Sequence, residues 1–152
     1  MRTTLFGFCL LLVGLSFPSS ATPNDLFQNV IRTYEGKMTA QDQEMTAITA
    51  IFREGDSIAA TLGLPGDAKL TMTLANYDLE NRGLLFQWKG AESSTGYVVF
   101  WFSSNYESFE GTWGWDDSYT DGGNWTGRSV PSGEKKEEEA KQLAEEEKKE
   151  EE

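Results

Sequence analysis

Five tryptophans, Trp88, Trp101, Trp113, Trp115 and Trp125, are the side chains of this sequence best suited to hold a ligand. An indole face stacks on a sugar ring or another flat apolar molecule, and its N–H orients what is stacked there. Twelve aromatic residues fall between Phe86 and Trp125, a skew that an evenly packed core would not need. The five tryptophans are therefore expected to form a ligand-binding aromatic wall. The alternative is that they fill a core and close its end, which is what most large aromatics do.

Carboxylates are the second group with chemistry to offer. Asp116, Asp117 and Asp121 fall in one loop, with Glu107 and Glu110 nearby. Oxygen-rich loops can bind calcium, and Asp117-x-Tyr119-x-Asp121-Gly122 begins like an EF-hand loop. Its third position is Tyr, however, and its twelfth is Arg128 rather than Glu, so turn formation is the expected role of these residues. The chain has no histidine, which excludes Ser-His-Asp and Cys-His sites, His-ligated zinc and an imidazole pH switch. The serines at 57, 93, 94, 103 and 104 have no base beyond Lys37, Lys69 or Lys89. A glycosidase needs two carboxylates facing across a cleft, and spacing along a chain cannot show such a pair. A carboxylate hydrolase is the third-ranked reading. No catalytic residue, metal ligand or cofactor is assigned, and the chain is read as a non-enzyme.

The elements that must position these side chains are short and alternating. Residues 32–39, 44–54, 57–62, 69–76, 84–88, 97–102, 109–115 and 124–130 each place apolar residues on one face, with turn residues between them. Leu70, Met72 and Leu74 against Lys69, Thr71 and Thr73 show the pattern most cleanly. Tyr97–Phe102 is apolar on both faces and wants cover on both. One helix is expected over Asp25–Ile31, capped by Asn24 or Asp25. Eight short strands with short connections predict an all-β fold, an antiparallel up-and-down meander barrel, with a two-sheet β-sandwich as the alternative. The large side chains of Phe86, Trp88, Phe100 and Phe102 would tend to fill such a barrel.

The end of this region, Phe109-Glu110-Gly111-Thr112-Trp113-Gly114-Trp115 followed by Gly122-Gly123-Asn124-Trp125-Thr126-Gly127-Arg128, resembles small exported β-barrel proteins of the calycin type, the group of lipocalins and avidins. The resemblance implies a meander barrel whose mouth takes a small ligand. The Gly-x-Trp that lipocalins carry near the first strand is absent, with Tyr34-Glu35-Gly36 in its place.

The remaining residues divide the chain. Met1 and Arg2, an apolar run from Leu5 to Leu15, and small residues at Ser19 and Ala21 have the layout of a signal peptide over residues 1–21, cut before Thr22. The run is too short to cross a ~30 Å hydrocarbon core, so no membrane span is expected. The sole cysteine, Cys9, lies inside it, and the absence of disulfide chemistry downstream leans towards a bacterial envelope; the predicted location is secreted or periplasmic. Asn124-Trp125-Thr126 is a glycosylation sequon, meaningful in a eukaryotic source. Residues 132–152 hold ten Glu, five Lys and a single Leu, and read as a disordered or singly helical acidic tail. The net charge of −12 argues against nucleic acid and anionic lipid as partners. Residues 22–131 are left as one domain. Two functions follow: an exported module binding a small apolar or glycan ligand, or a structural or interaction protein of the envelope with a solid core and a protein partner.

Overall fold

The structure is a computed structural model in which residues 22–66 and 69–131 are described. The expected signal peptide and the acidic tail lie outside these residues, as do residues 67 and 68.

The chain enters through helix α1 (Pro23–Val30). Its cap is Thr22, two or three residues earlier than expected, because Pro23 takes the first helical position, where a missing N–H costs nothing. The Thr22 hydroxyl accepts from the Asp25 amide at 3.4 Å, and the Asp25 carboxylate accepts from the Thr22 amide at 2.9 Å. This reciprocal box satisfies two donors at the helix start. Those hydrogen bonds hold the Asp25 carboxyl below its ordinary pKa.

Eight strands follow: β1 (Thr33–Ala40), β2 (Gln43–Glu54), β3 (Ser57–Gly63), β4 (Lys69–Asp78), β5 (Gly83–Lys89), β6 (Thr95–Phe102), β7 (Ser108–Trp115) and β8 (Gly123–Ser129). Each pairs antiparallel with its sequence neighbour, and β8 returns to β1 with Trp125 opposite Met38 and Ser129 opposite Tyr34. The sheet is therefore a closed up-and-down barrel, not a sandwich, and it has no free edge. An eight-stranded antiparallel barrel of this kind is consistent with calycin-like architecture.

Inward residues fill the barrel. Tyr34, Phe86, Phe100, Phe109 and Trp125 are all fully buried, together with Ile58, Leu62, Met72, Leu84 and Val98. The Phe100 ring lies 4.2 Å from Phe109 and 5.1 Å from Trp125, centroid to centroid. Eight strands enclose a space that side chains of this size just fill. Thr49 is the one buried polar residue among those described, and its hydroxyl accepts from the Trp125 indole N–H at 3.1 Å. The Tyr34 phenol donates to the Tyr106 carbonyl at 3.0 Å, and burial pushes its pKa above the ordinary tyrosine value.

Each end is covered. At one, Leu26, Phe27 and Val30 of α1 join the core. At the other, Trp88, Trp113 and Trp115 stack edge to face, with centroids 5.1–6.1 Å apart. Strand β4 departs from its expected outline. Its register shifts between Leu74 and Asn76, and it then continues to Asp78, two residues beyond the expected range of 69–76. The shift pairs Tyr77 with Leu84 and lets its ring meet Phe27 at 5.7 Å.

Candidate functional site

Alternation along β6 points Val98, Phe100 and Phe102 into the core, so Tyr97, Val99 and Trp101 must face outward. This is the strand whose two apolar faces both wanted cover. On the outer wall that cover is partial, and the barrel has an aromatic-rich exposed face. Val99 is buried, whereas Trp101 is 44 % exposed.

Trp101 lies opposite Gly83 in the β5–β6 ladder. A Cβ built on Gly83 would lie 2.6 Å from Trp101 Cε3 and 3.0 Å from Cη2, with Cζ3 nearer still. The six-membered ring of the indole therefore occupies the space that a side chain at 83 would take. Glycine in a strand commonly marks such a close approach.

A second aromatic reaches this wall from the loop between β7 and β8. The loop folds back along the barrel and is pinned there. The Thr112 hydroxyl donates to the Tyr119 carbonyl at 2.6 Å, and the Asp121 carboxylate accepts from the Trp115 amide at 2.9 Å. The Gly122 amide donates to the Trp113 carbonyl at 2.8 Å. Asp121 thus performs the turn-forming role expected of this acidic loop. Among the described residues no three Asp, Glu, His or Cys side chains come together as a metal-binding group.

Between these elements runs a groove of about 210 Å³. Leu85 and Val99 lie along its apolar part, and Trp101 and Tyr119 are its exposed aromatics, Tyr119 being 50 % exposed; Tyr77 borders it, but its ring is turned to Phe27. Asn76 and Asp78 supply its polar groups. The Asp78 carboxylate accepts from the Asn81 side chain at 2.9 Å and from its amide at 3.0 Å, which holds the carboxyl below its ordinary pKa. A wider polar cleft of about 1260 Å³ lies at the end covered by α1, with Arg32, Ser104, Asn105 and Arg128 in its walls. It offers no exposed aromatic face.

The five tryptophans do not form one wall. Trp88, Trp113 and Trp125 are buried, and each spends its indole N–H inside the molecule: Trp88 on the Gly114 carbonyl at 2.9 Å, Trp113 on the Thr39 carbonyl at 2.9 Å, and Trp125 on Thr49. Trp115 is 47 % exposed but stands at the barrel rim against Trp88, away from the groove. Trp101 alone of the five lines the groove. Tyr119 joins it without having been singled out from the sequence as a ligand-binding residue. Its position depends on the folded-back loop, which leaves no pattern in nearby residues. No helix among the described residues is long and apolar enough to cross a membrane. No family model matches the chain, and neither a curated protein nor a solved structure matches it.

Proposed function

We propose that this chain is a non-catalytic binding module that takes a small flat ligand, apolar or glycan, on the outer wall of its barrel. One observation carries the reading: a half-exposed indole and a half-exposed phenol flank one groove on a barrel whose interior is already packed with side chains. Side chains of this kind gain when a flat molecule covers them. The Asp25 and Asp78 carboxyls are both exposed, and hydrogen bonds shift both downward, away from the range of a general acid. A ligand-observed NMR screen of flat, neutral ring compounds tests the reading. Hits are expected to weaken on Trp101→Ala, and a screen with no Trp101-dependent hit refutes it.

Export belongs to the same proposal. A cut before Thr22 would leave the capping residue of α1 with the domain. Amino-terminal sequencing of the mature protein from its host should begin at Thr22.

A second reading, a structural or interaction protein, draws support from the solid core and from Ile48 and Phe52, which are exposed on β2. Under it, replacing both by Lys abolishes association with the partner, while Trp101→Ala does not.

A further inference from the structure

The chemistry of the groove narrows its ligand, on the reading of this wall as the binding site. We infer that it takes a neutral saccharide, one ring of which lies against Trp101 and Tyr119.

The first ground is unspent hydrogen-bonding capacity. The indole N–H of Trp101, the Nδ2 amide of Asn76 and the phenol of Tyr119 all belong to groove residues, and none has a partner among the described residues. The three buried indoles, by contrast, each have their N–H satisfied. A wholly apolar ligand would strip water from these groups and return nothing, which is costly. A hydroxylated ring gives them partners at its edge, while its C–H face covers the aromatic and aliphatic surface.

The second ground is charge. Asp78 is the ionisable carboxylate of the lining, and the Asn81 hydrogen bonds favour its charged form. Among the described residues no Lys or Arg lines the groove, and the chain carries −12 overall. An anionic ligand meets repulsion there and finds no cation to pair with. A neutral sugar meets an acceptor for its hydroxyl groups.

The third ground is size. At about 210 Å³ the groove is smaller than the ~300–1,000 Å³ of drug-sized pockets. It suits a single ring, with the neighbouring rings of an oligosaccharide continuing into solvent.

Isothermal titration of the full chain tests this. The probes are neutral tetrasaccharides of glucose, mannose, xylose, galactose and N-acetylglucosamine, a tetragalacturonate, and the neutral apolar dye Nile red. At least one neutral tetrasaccharide should bind, and the tetragalacturonate should not. Trp101→Ala and Tyr119→Ala should each weaken binding at least about tenfold, as expected for aromatic anchors. Tyr119 sits on an exposed loop, so its variant keeps the test valid if the Trp101 variant folds poorly. Phe52→Ala, on another wall, should leave binding unchanged. Nile red that binds through Trp101 with no neutral saccharide binding at millimolar concentration overturns the saccharide inference and leaves the groove reading standing. Preference for the tetragalacturonate also overturns it. If no probe binds in a Trp101-dependent way, both readings fail.

Discussion

Gly83→Ala isolates the groove from the barrel that carries it. The backbone at 83 accepts a side chain, because its φ is not in the left-handed region, so the whole penalty comes from Trp101. A Cβ there would lie 2.6 Å from Cε3 and 3.0 Å from Cη2, against the ~3.5–4.0 Å that carbon atoms prefer. The indole must tilt or swing away. Somewhat more than half of its surface is out of water. Complete ejection would expose on the order of 100 Å² and cost about 2.5 kcal/mol at ~25 cal/mol per Å². A tilt loses less, and alanine is better than glycine in a strand by roughly 0.5–1 kcal/mol. The net expectation is about 1–2 kcal/mol of destabilisation, with the groove lost. In a Trp101→Ala background the same substitution should be neutral or stabilising by about 0.5 kcal/mol. Urea unfolding of the four proteins, followed by far-UV circular dichroism, gives the coupling. If Gly83→Ala has the same effect in both backgrounds to within about 0.5 kcal/mol, the indole does not lie over Gly83 and the groove as described does not exist.

Other outcomes follow from the packing. Thr49→Val leaves the buried Trp125 N–H without its acceptor and should cost about 1–3 kcal/mol in the same urea assay. Gly127→Ala points a Cβ at the Phe109 ring, 2.6 Å from Cζ, and 3.0 Å from Tyr34 Cβ, all inside the core. Overpacking of about 1–3 kcal/mol is expected, seen as a lower melting temperature. Asp25 has a lowered pKa, so its capping contribution is fully present above the ordinary value of 3.8 and disappears as pH falls through the lowered one. Amide exchange in α1 should accelerate across that acid window, and Asp25→Asn should abolish the step.

Strand phases were readable because one face of each strand is buried. Leu70, Met72 and Leu74 announce that face without ambiguity, and the eight-strand meander follows from such runs joined by short turns. Alternation says which way a side chain points, not how deep it lies. Trp113 and Trp115 share a phase on β7, yet one is buried and the other half-exposed, because Trp115 sits at the strand end beyond the packed interior. Hence alternation alone does not distinguish Trp101, which lines the groove, from Trp88, Trp113 and Trp125, which are buried. The extension of β4 was hidden because a register shift at Leu74–Asn76 breaks the period on which the reading rests. Tyr119 was hidden because its place depends on the bond Thr112 donates to its carbonyl and the bond Asp121 accepts from the Trp115 amide, and these exist only once β7 has formed.

The first and last strands are neighbours, and the Val130 amide donates to the Thr33 carbonyl at 2.9 Å, so the barrel begins and ends at one pole. A short linker could join these two points and new termini could be cut at another hairpin turn, leaving every strand pairing intact. Anything attached before Thr22 or after Pro131 is likewise tethered at that pole. The Trp115 rim lies at the opposite pole, so a partner fused at either of these points is held at the far end of the barrel from it.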